Sequence, residues 1–156
     1  GGGDGAQGRL ITDVLNSLRN NKDIVLRNGK SIRPWQDILD SLYGYLLVAE
    51  ENFSSKKGDI YNLNSEINNE INTKEITEKM IKEWKSKINI VETKNIAFHE
   101  SPELRLDSSK AENLLNWKGI VAIDKIIEKI INWEKTSNGE EAELISFQQI
   151  NSYFEK

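Results

Sequence analysis

The stretch that decides the fold runs from Ile24 to Glu51 and reads IVLRNGKSIRPWQDILDSLYGYLLVAEE. Its first three residues, Ile24–Leu26, are an apolar run typical of a short strand, and Asn28–Gly29 is a turn signal. Proline favours an extended backbone in the residue before it and is itself favoured at the first position of a helix. The sequence therefore predicts an extended Arg33 directly before a helix that begins at Pro34.

The predicted helix has apolar residues at helical spacing along one face. These residues are Trp35, Ile38, Leu39, Leu42, Leu46 and Ala49. Arg33 would then lie beside a helix N-terminus, where backbone N–H groups and a guanidinium together favour a phosphate. A surface arginine that caps a loop explains the same residue, and the pattern alone leaves both interpretations open.

Apolar periodicity on either side of this stretch predicts further helices and short strands, without internal repeats. Helices are predicted at residues 10–20, after a Thr73 N-cap, at 107–116, at 123–131 along an isoleucine stripe, and after 140. Short strands are predicted at 59–63 and 87–91. Five or six helices with about three short strands predict a helix-rich α/β fold, α+β-like in character. They do not suit a complete doubly wound sheet.

Composition narrows the classes of function. The 156 residues are 37% hydrophobic, which suits one folded domain, and the net charge of −4 argues against nonspecific binding to nucleic acid or membranes. With no cysteine and one histidine, neither a disulfide framework nor a thiolate or histidine metal site is expected. No apolar run approaches the roughly 20 residues of a membrane span, so we expect a soluble, cytoplasmic protein.

Four sequence blocks, in order, resemble the nucleotide-sugar dehydratases of the extended short-chain dehydrogenase/reductase family, in particular those that act on CDP-glucose. The blocks are Gly1–Asp4 with Arg9–Ile11 and Asp13, Arg33–Gln36 with Gly44–Glu50, His99–Glu100 with Leu104–Ala111 and Leu115–Trp117, and Gln149–Ile150 with Tyr153. The chain departs from the family pattern at Gly5, where a tryptophan is usual, and at Asn116, where a glycine is usual. These departures leave the exact base and sugar open.

The resemblance implies that residues 1–156 are a C-terminal substrate-binding domain, with Gly1 falling inside the family's glycine-rich loop. The N-terminal NAD-binding Rossmann domain is then expected outside these residues. NAD would serve the full-length enzyme, and no cofactor is expected on this part alone. The full-length enzyme is expected to be a homodimer, whereas the oligomeric state of this part is left open. The apolar surface that would face the other half is expected to be exposed.

No residue of this chain is assigned to catalysis. The family uses a Tyr-x-x-x-Lys pair, and none of the four tyrosines has a lysine four residues later: Tyr43, Tyr45, Tyr61 and Tyr153. The implied reaction of the full enzyme is a lyase reaction that converts CDP-glucose to CDP-4-keto-6-deoxyglucose and water, in deoxysugar or polysaccharide biosynthesis. Another NAD-dependent nucleotide-sugar epimerase or dehydratase is the close alternative, and a non-catalytic nucleotide-binding module is the alternative from a different class.

The resemblance implies that six residues contact the nucleotide sugar: Arg33, Arg9, Asn62, His99, Glu100 and Arg105. Arg33 matches the family's phosphate-binding arginine, and Arg9 matches an arginine on the helix after the glycine loop. The amide of Asn62 would meet ribose or phosphate, while the other three lie in the block that closes on the nucleotide. A solvated helix start, a turn asparagine and an incidental histidine are the ordinary alternatives for Arg9, Asn62 and His99. The four tryptophans are predicted to belong to the core.

Overall fold

The computed structural model describes residues 3–56, 58–65, 70–93, 101–136 and 140–155. These residues contain six helices and four short strands, so the predicted helix-rich α/β class is confirmed, with one strand more than expected. In chain order they are α1 (Leu10–Arg19), β1 (Ile24–Leu26), β2 (Ile32–Pro34), α2 (Ile38–Ser55), β3 (Glu70–Asn72), α3 (Thr73–Trp84), β4 (Ile90–Glu92), α4 (Ser109–Leu115), α5 (Ile123–Thr136) and α6 (Glu140–Phe154). None of the helices described is both long and apolar enough to cross a membrane.

The strands form two small sheets. β1 pairs in parallel with β4, placing Ile24 opposite Ile90, and β2 pairs antiparallel with β3, placing Arg33 opposite Ile71. Ile32 also makes a parallel bridge to Glu103 on the other edge of β2. Because β2 has partners on both edges, the backbone that carries Arg33 is held from two sides.

The core lies between α1, α3, α5 and β1. The predicted stripe of α1 is confirmed, since Val14, Leu15 and Leu18 are buried. The isoleucine stripe of α5 is also buried, and it packs with Ile76 and Met80 of α3. In both helices the apolar residues recur every three or four positions, so one face of each helix is removed from water.

The predicted helix start at Pro34 is wrong. Pro34 is the last residue of β2, and α2 begins at Ile38. Asp37 is the N-cap, and its Oδ1 accepts the N–H of Leu39 at 2.9 Å. An aspartate cap satisfies a backbone N–H that the helix cannot pair itself, whereas a proline fits equally well at the end of a strand. The capping residue therefore sets the boundary, three residues beyond the proline.

The apolar face predicted for α2 is only partly covered: Trp35 and Leu39 pack against the core. Leu42 is 47% exposed and Leu46 is 66% exposed, while the buried residues of this helix are Asp40 and Gly44. The helix approaches its neighbours through Gly44, where an added Cβ would lie 2.9 Å from Nε1 of Trp117. A glycine lets two elements come close, so α2 packs through its smallest residue and leaves Leu42 and Leu46 at the surface.

Two local predictions need correction around α3. Residues 59–63 contain no strand, and the short strand that precedes α3 is β3 instead. The N-cap of α3 is Asn72 rather than Thr73: its Oδ1 accepts the N–H of Glu75 at 2.8 Å, and Glu75 Oε2 accepts the N–H of Asn72 at 2.9 Å. This reciprocal capping box satisfies two backbone donors, which a threonine cap one residue later would not do.

A buried carboxylate joins the C-terminal elements to α2. Asp40 accepts the backbone N–H groups of Ile120 and Val121 at 3.1 and 3.2 Å and the hydroxyl of Tyr153 at 2.8 Å. Its own carbonyl oxygen accepts Nε1–H of Trp117 at 3.0 Å. These bonds hold α2 to the chain before α5 and to the end of α6.

Candidate functional site

A cleft of about 830 Å³ opens between α1, β1, β2 and α5. Its walls combine apolar residues of the core with charged residues from the ends of these elements. Two of the arginines that the sequence selects, Arg9 and Arg33, both line this cleft. The fold thus brings together a residue at the start of α1 and a residue from the middle of β2.

Arg9 is the N-cap residue of α1, and its side chain is exposed. Its Nη1 lies 2.8 Å from Oδ2 of Asp4. The pKa of Asp4 is lowered, first by the hydrogen bond from the backbone N–H of Ala6 and then by the Arg9 guanidinium. Arg9 is therefore an exposed cation at the rim of the cleft with its charge partly balanced by an aspartate.

Arg33 occupies the centre of β2 and is half-buried. Its Nη1 donates to the carbonyl oxygens of Ile32 at 2.8 Å and Ser101 at 3.1 Å. Bonds to two fixed backbone carbonyls orient the planar guanidinium, which presents five N–H donors in a rigid arrangement. The geometry makes Arg33 a preorganised cation in the cleft wall.

The other predicted contacts are not brought to this cleft. Asn62 is exposed, and Asn62 and Arg105 are both absent from the cleft lining. Arg105 Nη1 lies 2.9 Å from Oε2 of Glu70, and its Nε donates to Glu103. The Glu103 carboxylate, followed by Glu70, raises the pKa of Arg105. His99 and Glu100 lie outside the described residues.

The tryptophans occupy varied positions. Trp117 is fully buried, as predicted, whereas Trp35 and Trp84 are half-buried and pack against the core. Trp35 also lines the cleft, and its Nε1–H donates to the carbonyl oxygen of Ile71 at 3.0 Å. Trp133 donates to the hydroxyl of Ser146 at 3.0 Å. Only Trp117 is completely removed from solvent.

The cleft is also lined by polar residues that the sequence did not select, among them Arg27, Ser31 and Gln36. Arg27 follows β1 and is exposed, and the part of the chain described contains no hydrogen bond or ion pair to it. Ser31 Oγ and Gln36 Nε2 are buried atoms without a hydrogen-bond partner among the described residues. The alternation of buried and exposed residues along β1 could have indicated that Arg27 points outward with Val25.

The carboxylates of the cleft already have partners. Asp13 accepts the N–H of Gly8 at 3.2 Å, and Asp23 accepts the N–H of Asn89 at 2.9 Å. Oε1 of Glu134 lies 2.9 Å from Nε of Arg19, a residue that is not part of the cleft lining. Three arginines and four carboxylates line the cleft, and of these arginines Arg27 is the one without an ion pair or hydrogen bond among the described residues. The described residues contain no cluster of three or more potential metal ligands.

No family model matches the chain. The CDP-glucose 4,6-dehydratase of Salmonella typhimurium (strain LT2) is 33% identical over 156 residues, a match that covers 98% of this chain and 44% of that enzyme. The matched region is the C-terminal part of the enzyme. The chain therefore spans less than half the length of this curated relative.

Solved structures of related enzymes share the fold. The dTDP-glucose 4,6-dehydratase of Bacillus anthracis, in complex with NAD, gives a TM-score of 0.71 at 19% identity and covers 88% of this chain and 42% of that one. The UDP-glucuronic acid 4-epimerase of Bacillus cereus, in complex with UDP-glucuronic acid and NAD, gives 0.71 at 18% identity and covers 82% and 40%. At such identities the likeness concerns the fold alone.

Proposed function

We propose that the cleft of this chain binds a nucleotide sugar, CDP-glucose, within an NAD-dependent 4,6-dehydratase. The chain is similar in sequence to the C-terminal part of CDP-glucose 4,6-dehydratase and has the fold of that part of the extended short-chain dehydrogenases/reductases. The complete enzyme converts CDP-glucose to CDP-4-keto-6-deoxyglucose and water. We place it in the cytoplasm, as a homodimer, in deoxysugar or polysaccharide biosynthesis.

One observation carries this proposal. Arg33 matches the family's phosphate-binding arginine in sequence, and it belongs to a strand that has partners on both edges and lines the cleft. A diphosphate offers anionic oxygens, and a guanidinium fork forms charge-assisted hydrogen bonds to them that are roughly twice as strong as neutral ones. Arg9 at the cleft rim would add a second cation.

The described residues do not fit the dinucleotide cofactor. A dinucleotide is held where a strand leads through a glycine-rich turn into a helix. Here the glycine-rich residues 3–8 run into α1, the first element described, and each sheet has two strands. We therefore propose that the NAD contacts come from other parts of the enzyme, where the cofactor would take up and return a hydride. This part contributes binding and orientation of the sugar nucleotide and is inactive alone.

The proposal is tested by calorimetric titration of the 156-residue chain with CDP, UDP and dTDP. We expect saturable binding of CDP, with weaker binding of the other two. A parallel assay of the complete reading frame that contains these residues should form the 4-keto product from CDP-glucose, whereas the chain alone should not. Absence of saturable nucleotide binding by the folded chain would contradict the proposal.

A second candidate keeps the same site and changes the substrate. The B. cereus epimerase, which has the same fold, binds UDP-glucuronic acid, so the cleft could serve another nucleotide-sugar epimerase or dehydratase. Tighter binding of UDP than of CDP in the same titration would favour this alternative. Nucleotide binding by a complete gene product that turns over no nucleotide sugar would favour a non-catalytic binding module.

A further inference from the structure

We infer that Arg27 and Ser31, which no matched sequence motif assigns to binding, are additional ligands of the diphosphate in the cleft. The inference rests on the proposed function, because it concerns the same nucleotide. It adds a second cation and a buried hydroxyl to the arginine that the family resemblance selects.

The direction of Arg27 follows from β1. Ile24 and Leu26 of this strand are buried in the core and Val25 between them is exposed, and all three residues line the cleft. Successive side chains of a strand point to opposite faces, so Arg27, the next residue, continues the outward face of Val25. It too lines the cleft.

The guanidinium of Arg27 makes no bond to another described residue. Arg9 is paired with Asp4, and Arg33 donates to two backbone carbonyl oxygens. In the described part of the chain, Arg27 has neither an ion pair nor a hydrogen bond, although four carboxylates line the same cleft. Those carboxylates are occupied by other donors, so Arg27 remains available to an acidic ligand. A guanidinium has donors only, which means that such a ligand must supply acceptors.

Ser31 is the second, independent observation. Ser31 is only 1% exposed, and its Oγ has no hydrogen-bond partner among the described residues although the residue lines an open cleft. Its backbone is fixed: the N–H donates to the carbonyl of Asn28 at 3.3 Å, and the carbonyl accepts the N–H of Thr73 at 3.0 Å. Buried polar groups are normally hydrogen-bonded, so a fixed and unpaired hydroxyl indicates a missing ligand atom.

The chemistry of the unpaired groups favours phosphate over sugar. Arg27 and the unpaired Nε2 of Gln36 can only donate, and the hydroxyl of Ser31 can donate as well. Sugar hydroxyls need acceptors in the protein as much as donors, whereas the oxygens of a diphosphate only accept. All three of these groups can donate, which matches the oxygens of a diphosphate. The carbonyl oxygen of a pyrimidine base is the other acceptor on the same ligand, and the experiment separates the two.

The test compares CDP, CMP and cytidine as calorimetric titrants of the wild-type chain and of three variants. Arg27→Ala should weaken CDP binding about tenfold or more and leave cytidine binding unchanged. Ser31→Ala should weaken CDP binding several-fold while the melting temperature stays the same or rises, because the variant removes a buried unpaired hydroxyl. Lys79→Ala removes an exposed cation paired with Asp124, away from the cleft lining, and should change neither value.

The outcomes distinguish this inference from the proposed function. If the wild-type chain binds CDP and both cleft variants bind it equally well, the inference is overturned while the proposed function stands. If the variants lose affinity for cytidine as much as for CDP, the two residues serve the nucleoside and the assignment to the diphosphate is overturned. If the folded wild-type chain binds no nucleotide, the proposed function is contradicted, and the inference that rests on it is overturned as well.

Discussion

The phenol oxygen of Tyr153 lies 2.8 Å from Oδ1 of Asp40, and both side chains are buried. This hydrogen bond joins the last turn of α6 to the first turn of α2. A buried carboxylate is unfavourable unless several donors surround it, and Asp40 obtains its donors from α6 and from the chain before α5. The C-terminal helix is therefore part of the support of α2.

Tyr153→Phe is expected to lower the free energy of unfolding by about 1–3 kcal/mol, because a buried carboxylate loses one of its donors. Chemical denaturation monitored by circular dichroism measures the change. Tyr43→Phe is the matched control. The Tyr43 ring lies edge-on to Tyr153, with 6.4 Å between centroids, and its hydroxyl makes no hydrogen bond in the described structure. Equal effects of the two substitutions would contradict a special role for the Tyr153 bond.

The same pair predicts a loss of stability at alkaline pH. Burial of the phenol, and then its hydrogen bond to the negatively charged Asp40, raise the pKa of Tyr153 above the usual value near 10. The folded state keeps the phenolic proton to a higher pH than the unfolded state does. The contribution of this proton to stability is thus complete below about pH 10 and is lost as the pH rises further. Denaturation curves between pH 8 and 11 should show this loss, and Tyr153→Phe should reduce the slope.

Arg33→Ala is expected to weaken CDP binding roughly tenfold to a hundredfold, because it removes a charge-assisted contact of about 1.5–3 kcal/mol. Arg33→Lys keeps the charge and loses the planar fork, so it should restore little of the affinity. Titration calorimetry measures both variants, with thermal melts alongside, since the substitution also removes the bonds to the carbonyls of Ile32 and Ser101. If a folded Arg33→Ala variant binds CDP with wild-type affinity, the phosphate is not bound by Arg33.

Two apolar substitutions test the corrected orientation of α2. Leu46→Ala should change the free energy of unfolding by less than about 0.5 kcal/mol, as for other surface positions. Ile76→Ala should cost about 2–5 kcal/mol, because Ile76 is fully buried in the core and its truncation leaves a cavity. Urea denaturation of the two variants gives the comparison. A large loss at Leu46 would mean that the leucine face is covered in the folded chain.

Gly44→Ala tests the close approach of α2. The new Cβ would lie 2.5 Å from Cδ1 of Leu63 and 2.9 Å from Nε1 of Trp117. The leucine methyl can move, but the indole is fully buried and bonded to the carbonyl of Asp40. Overpacking of about 1–3 kcal/mol should therefore exceed the helix-propensity gain of about 0.5–1 kcal/mol. Gly58→Ala, which meets no atom within 4 Å, is the control by the same thermal melt.

The sequence predicts most reliably what depends on local periodicity and capping. The stripes of α1 and α5 and the strand at β1 follow from neighbouring residues alone, and all are present. The leucine face of α2 obeys the same period yet stays exposed, because packing follows the close contact at Gly44, which depends on the distant Trp117. Periodicity identifies an amphipathic face without identifying what covers it.

The candidate site was predictable only in part for the same reason. Arg9 and Arg33 have motif neighbours that mark them. Arg27 and Ser31 have none, and their importance arises from a cleft whose walls come from β1, β2, α1 and α5. The unpaired state of a buried hydroxyl is a property of the assembled structure, so no spacing in the sequence can reveal it.

The two-sided pairing of β2 has a kinetic consequence. Its partners, β3 and the residue Glu103, are both distant in sequence, and so are β1 and its partner β4. Contacts of this kind close large loops and form slowly compared with helices. The backbone that supports Arg33 should therefore acquire its final position late in folding, after α1 and α5 have formed, so that a nascent chain is helical well before it can hold a ligand.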